Sequence, residues 1–148
     1  PIGLPFAVVN VAGGLVWGYA HRAGWMKNTG GFFATQLLVA LVSSMFAVPI
    51  YIFIFGGATG HFSDLMTAAF VGMGANLITS VFSSNILVSL ADKIIAGYVG
   101  LAIIDALPEN LTEGNKLPKS EGLAKIIGPV IGVVIGVAVM LIFNVMSN

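Results

Sequence analysis

Long apolar runs, separated by short polar clusters, fill most of this chain. Crossing ~30 Å of hydrocarbon takes about 20 apolar residues in a helix, so each run bounded by polar or helix-breaking residues predicts a membrane span. The first run is Ile2 to Ala20, closed by His21, Arg22 and, after a short loop, Lys27. The second starts near Gly31 and carries no charge before His61, which is too long for one straight span. Pro49 divides it, because proline lacks a backbone donor and kinks a helix. Gly31 to Val48 is the expected main span, and "PIYIFIF" its tilted extension or a re-entrant piece. The third run is Ser63 to Val81. A turn is expected at "SVFSSN", residues 80–85, since Ser and Asn bond locally to the backbone. The fourth is Ile86 to Leu107, closed by Pro108. After the hydrophilic loop "PENLTEGNKLPKSEG", residues 108–122, a fifth is expected over Leu123 to Val145. The pattern thus predicts an all-α, polytopic helical bundle, one transmembrane domain over 1–148 with about five spans. With Pro1 rather than Met at its start, the sequence is expected to begin inside a longer polypeptide or after a processed segment.

Composition supports the bilayer as solvent. The chain has 148 residues, 57% of them hydrophobic and only 8% charged, with a mean hydropathy of +1.00, well outside the soluble range. Nineteen glycines suit helices that approach one another closely, and Gly128, Gly132 and Gly136 share one stripe of the last expected span. Six basic and six acidic residues cancel, so nothing points to nucleic acid or to docking on anionic lipid. The absence of cysteine removes disulfides, thiolate metal sites and cysteine nucleophiles. Positive charge favours the cytoplasm for the loop with Arg22 and Lys27, and equally for the loop with Lys116, Lys119 and Lys125. Three spans between them would put these loops on opposite sides. A re-entrant segment, or one loop that breaks the rule, is therefore required.

Ionisable groups within spans are costly and normally face protein, water or a ligand. Asp64, Asp92, Lys93 and Asp105 are the candidates. Asp92 and Lys93 project about 100° apart on a helix, so they are not expected to point the same way. They read as charges at an interfacial helix start or as the polar wall of a pocket. Ser63 and Asp64 read as an N-cap and first-turn carboxylate, after the sharp glycine turn of "GGATG" with Gly56, Gly57 and Gly60. His61 is then a loop residue, and with His21 as its only fellow histidine no metal site is expected. Asp105 is expected at the interface, and Trp17, Tyr19 and Trp25 read as an aromatic interfacial belt. Asn76 falls in the middle of the third span, Asn10 in the first, and Gln36 nearer the end of the second, each an amide that needs a helix or ligand partner. No phosphate loop, serine elbow or paired-carboxylate pattern occurs, so no enzyme activity and no cofactor are expected.

Residues 49–108, with Pro49 leading through an apolar run into Gly-Gly-x-Thr-Gly, the Asp of "SDL", "ADK" and the closing "ALP", resemble the second half of substrate-binding S components of energy-coupling-factor vitamin transporters. Those proteins are integral membrane proteins of bacterial and archaeal cell membranes, typically of six helices. They bind a vitamin or related micronutrient and work with a transmembrane coupling subunit and cytoplasmic ATPases. The resemblance implies a cytoplasmic 108–122 loop, Asp92 and Lys93 near the outer face, and Asn85, Asp92 and Lys93 at the pocket. With Asn76 they form the expected substrate-binding set. The expected function is capture of a small solute for uptake. The alternative is a sensory or scaffold transmembrane domain without transport.

Overall fold

A computed structural model describes residues 3–61, 63–114, 117, 118, 130, 134, 137 and 141. Among these residues the chain is all helical. The helices are α1 (Ala7–Arg22), α2 (Thr29–Pro49), α3 (Ser63–Gly72), α4 (Leu77–Ala106) and the single turn α5 (Glu109–Thr112). Two continuous helical stretches are long and apolar enough to cross a membrane, Thr29–Ile54 and Leu77–Ala106. The expected span over 123–145 lies outside the described residues, except that Val130, Val134, Val137 and Leu141 are helical. The glycine stripe at 128, 132 and 136 lies outside them.

α1 and α2 form an antiparallel pair. A left-handed Gly24 (φ 76°) and a short 3₁₀ turn, Trp25–Lys27, reverse the chain. Asn28 then caps α2, its side-chain oxygen accepting from the Gly31 amide at 2.7 Å. At the other end of the pair, the Phe6 ring stacks on Phe55 with centroids 5.7 Å apart and meets Tyr51 edge-on at 5.1 Å. Pro49 does not turn the chain back. The helix continues through a π-helical turn, Ile50–Ile54, a wider local winding that accommodates the missing amide donor.

The third and fourth expected spans are redrawn. The break falls at Met73–Asn76, not at residues 80–85. Gly74 (φ 93°) ends α3, with Ala75 N donating to Phe70 O at 3.1 Å and Gly74 N to Val71 O at 2.9 Å, a Schellman closure. Asn76 then caps α4 by accepting from Thr79 N at 2.9 Å. "SVFSSN" is helical because its serines turn their hydroxyls inward along the helix. Ser80 Oγ donates to Asn76 O at 2.9 Å and Ser84 Oγ to Val81 O at 3.1 Å. At 10 residues, α3 covers about 15 Å, half of a hydrocarbon core.

This short α3 sets the topology. α4 starts beside the glycine turn, where a Cβ on Gly57 would come within 3.1 Å of Leu77 Cδ1. It finishes where Leu101 joins Ala20, Met26 and Phe32 in a buried cluster, with Trp17, Tyr98 and Leu117 packed against it. Hence α4 runs antiparallel to α2, and only two long helices separate the loop containing Arg22 and Lys27 from the segment after Leu107. The chain after α4 therefore returns to the end of the bundle that carries the Arg22–Lys27 loop, where Leu117 packs on the buried cluster. α3, rather than the Pro49 segment, is the short element between the two long helices.

Polarity is distributed inside out. Thr35, Gln36, Ser43, Ser44, Thr67, Ser80 and Ser84 are buried, while Val11, Phe53 and Ile78 are 60%, 84% and 65% exposed. Small residues allow this packing. A Cβ on Gly13 would meet Ser43 Oγ at 3.3 Å, and Thr67 and Ser84 hydroxyls bond across α3 and α4 at 2.6 Å.

Candidate functional site

The candidate site is a cavity of about 370 Å³ between α1, α2 and the second half of α4, at the end of the bundle that carries the Arg22–Lys27 loop. Its walls are mainly apolar, with Trp17, Phe32, Leu101 and Ile104 on them, and Gln36 and Lys93 supply the polar functions. The volume and the balance of many apolar walls with few polar groups are those of a small-molecule site.

Gln36 is the unusual member. It is 0% exposed, yet among the described residues neither its amide nitrogen nor its amide oxygen has a hydrogen-bond partner. An unpaired buried polar group costs about 1–3 kcal/mol, so a carboxamide with both ends free is an expensive feature for a fold alone. Its place is made by Gly97. A Cβ there would overlap the amide nitrogen and come within 3.2 Å of the Phe32 ring. Phe32 is in turn fixed by edge contacts to Trp17 at 5.6 Å and to Tyr98 at 5.9 Å. α2 thus presents an amide and an aromatic ring together, and α4 leaves room for them through Gly97.

Lys93 lies along the cavity and pairs with Asp92 at 2.6 Å; the two side chains are 28% and 59% exposed respectively. The expectation that these neighbours point apart is corrected. The long lysine stem bends back to the adjacent carboxylate despite the divergence of the two Cβ atoms. Nor do they open a helix near the outer face. Because α4 begins at Leu77, they lie midway along it.

The other expected binding residues lie elsewhere. Asn76 is exposed and occupied as the α4 cap. Asn85 is half-buried and accepts from Ser89 Oγ at 3.3 Å. Neither lines the cavity. Gly56, Gly57 and Gly60 have φ of 66°, 95° and 77°, the left-handed turn backbone that favours glycine. The Asp64 carboxylate accepts from Thr59 N at 2.7 Å, Gly60 N at 2.6 Å and His61 N at 3.2 Å. It holds the turn that precedes α3 rather than any ligand. Asp105 has one buried carboxylate oxygen without a partner, as does the Ser44 hydroxyl. No cluster of three or more His, Asp or Glu with metal-binding geometry occurs among the described residues.

Sequence reasoning marked Gln36 as an amide needing a partner but left it out of the binding set. Its position in a span was visible; its alignment with Gly97 depends on the pairing of α2 with α4.

No protein-family model matches the chain, and comparison with curated proteins and with solved structures gives no match.

Proposed function

We propose that the chain is a multi-pass membrane protein that captures a small solute for uptake, as the substrate-binding subunit of an energy-coupling-factor type of transporter in a bacterial or archaeal cell membrane. The observation that carries this reading is the wholly buried carboxamide of Gln36, without a hydrogen-bond partner among the described residues, beside a cavity of about 370 Å³. A ligand that pairs with this amide removes its desolvation cost, which links stability to occupancy.

Several features support the membrane half of the reading. Hydroxyls and an amide face inward while large apolar side chains face outward, the arrangement expected when lipid is the solvent. α1, α2 and α4 cross the bilayer in this reading, α3 enters it partway, and a further span follows over 123–145. The positive-inside rule then assigns Arg22, Lys27, Lys116 and Lys119 to the cytoplasmic end. Transport energy comes from partner ATPases through a coupling subunit, and the chain itself carries out no catalysis.

A sensory or scaffold domain is the second reading. It is favoured by Asp92, which is 59% exposed midway along α4, where a partner helix is a better neighbour than lipid. Affinity purification of the tagged chain from its own membranes separates the two. Recovery of a small solute with ATPase and coupling subunits is the expected result. Recovery of a signalling partner with no solute and no ATPase selects the second reading and rejects the first.

A further inference from the structure

We infer that the cavity takes a flat heterocycle whose edge carries a hydrogen-bond donor beside an acceptor and which also bears an acidic group, with Gln36 reading the edge and Lys93 meeting the acid. This rests on the solute-capture reading and names the chemical class of the solute.

The edge follows from the amide. A primary carboxamide offers an N–H donor and a carbonyl acceptor side by side. Its complement is the same pair reversed, as on a lactam or an amino-substituted azine ring; Gln and Asn read the adenine edge in this way. Both functions of Gln36 are unused within the described structure. The amide borders the cavity but is 0% exposed, so a rotation of its terminal bonds is needed to meet a ligand. The bare backbone of Gly97 against it leaves no side chain to oppose that rotation.

Flatness follows from the walls. Trp17, half-buried on the cavity wall and edge-on to the buried Phe32 at 77°, gives an aromatic surface against which a planar ring can stack or set its edge. The surrounding walls are apolar, and a ring seated against them displaces water and strengthens the polar contacts within.

The acid follows from Lys93. Its stem lines the cavity while its ammonium group holds Asp92, which is more exposed than the lysine. A flexible four-carbon stem lets the ammonium reach a ligand's acid in the cavity while staying beside Asp92.

Calorimetry on the full chain in lipid nanodiscs, after removal of any copurified solute, tests this with three probes. They are 2-quinolone-4-carboxylate, which has a lactam edge and an acid; quinoline-4-carboxylate, which lacks that edge; and the methyl ester of the first. The lactam acid is expected to bind about tenfold or more tightly than either analogue. Gln36→Leu is expected to abolish the preference for the lactam edge alone, and Lys93→Met the preference for acid over ester alone. Equal binding of all three probes by the unaltered protein overturns the inference, as does a preference that survives its matching substitution. A protein that binds none of the probes but carries a native solute without a donor–acceptor edge also overturns it and leaves solute capture standing. A monodisperse protein that binds no probe and carries no solute rejects both.

Discussion

The Gln36 carboxamide lies directly against the backbone of Gly97, in space that any side chain at residue 97 would occupy. A polar group on α2 is thus positioned by the absence of a side chain on α4. The pairing also places the amide beside the cavity with its hydrogen-bonding capacity unspent. Stability and binding therefore oppose one another at this residue.

Gln36→Leu is expected to stabilise the solute-free protein by about 1–3 kcal/mol, because it replaces an unpaired buried amide by an apolar side chain of similar size. Thermal unfolding in detergent measures this. A destabilised variant would mean that the amide has a structural partner in the free protein.

The two glycines on the α4 wall are expected to respond in opposite ways. Gly97→Ala forces the amide and the Phe32 ring to move and is expected to reduce solute binding. Gly100→Ala meets nothing within 4 Å and is expected to stabilise α4 by roughly 0.5–1 kcal/mol, the usual gain of alanine over glycine within a helix. Paired unfolding and binding curves for the two variants check the contrast.

At the opposite end of the bundle, Asp64→Ala is expected to cost about 1–3 kcal/mol. It frees the amides of Thr59, Gly60 and His61, which its carboxylate gathers. Asp64→Asn, which keeps an acceptor but loses the charge, is expected to fall between the two. Unfolding midpoints of the three proteins give the order.

The chain contains no cysteine, so single cysteines report topology cleanly. Lys27→Cys and Glu113→Cys are expected to react with a membrane-impermeant maleimide from one face of the membrane, and His61→Cys from the other. Labelling of residues 27 and 113 from opposite faces would contradict the placement of α3 as a non-crossing helix.

The helical class, the short loop between Arg22 and Lys27 and the glycine turn before α3 were legible in the sequence, because apolar run length, polar breaks and clustered glycines are local signals. The α3–α4 boundary was misread for an equally local reason. Serine and asparagine favour turns in water, but Ser80 and Ser84 satisfy their hydroxyls on helix carbonyls, and the real break depends on Gly74 followed by the capping Asn76. "GMGAN", a glycine two residues before an asparagine that opens an apolar run, was the available signal. Lys93 lines the cavity, whereas Asn76 and Asn85 are committed to local hydrogen bonds. Which amide remains unpaired is decided by helix pairing, and no single stretch of sequence records that.

Native mass spectrometry of the purified chain and its Gly100→Leu variant most directly tests whether the cavity holds a solute. Gly100 lines the cavity and a Cβ there meets nothing within 4 Å among the described residues, so a leucine is expected to fill part of the cavity. The unaltered protein is expected to retain a non-lipid small molecule that the variant lacks. An adduct present equally in both, or only lipid on either, would contradict it.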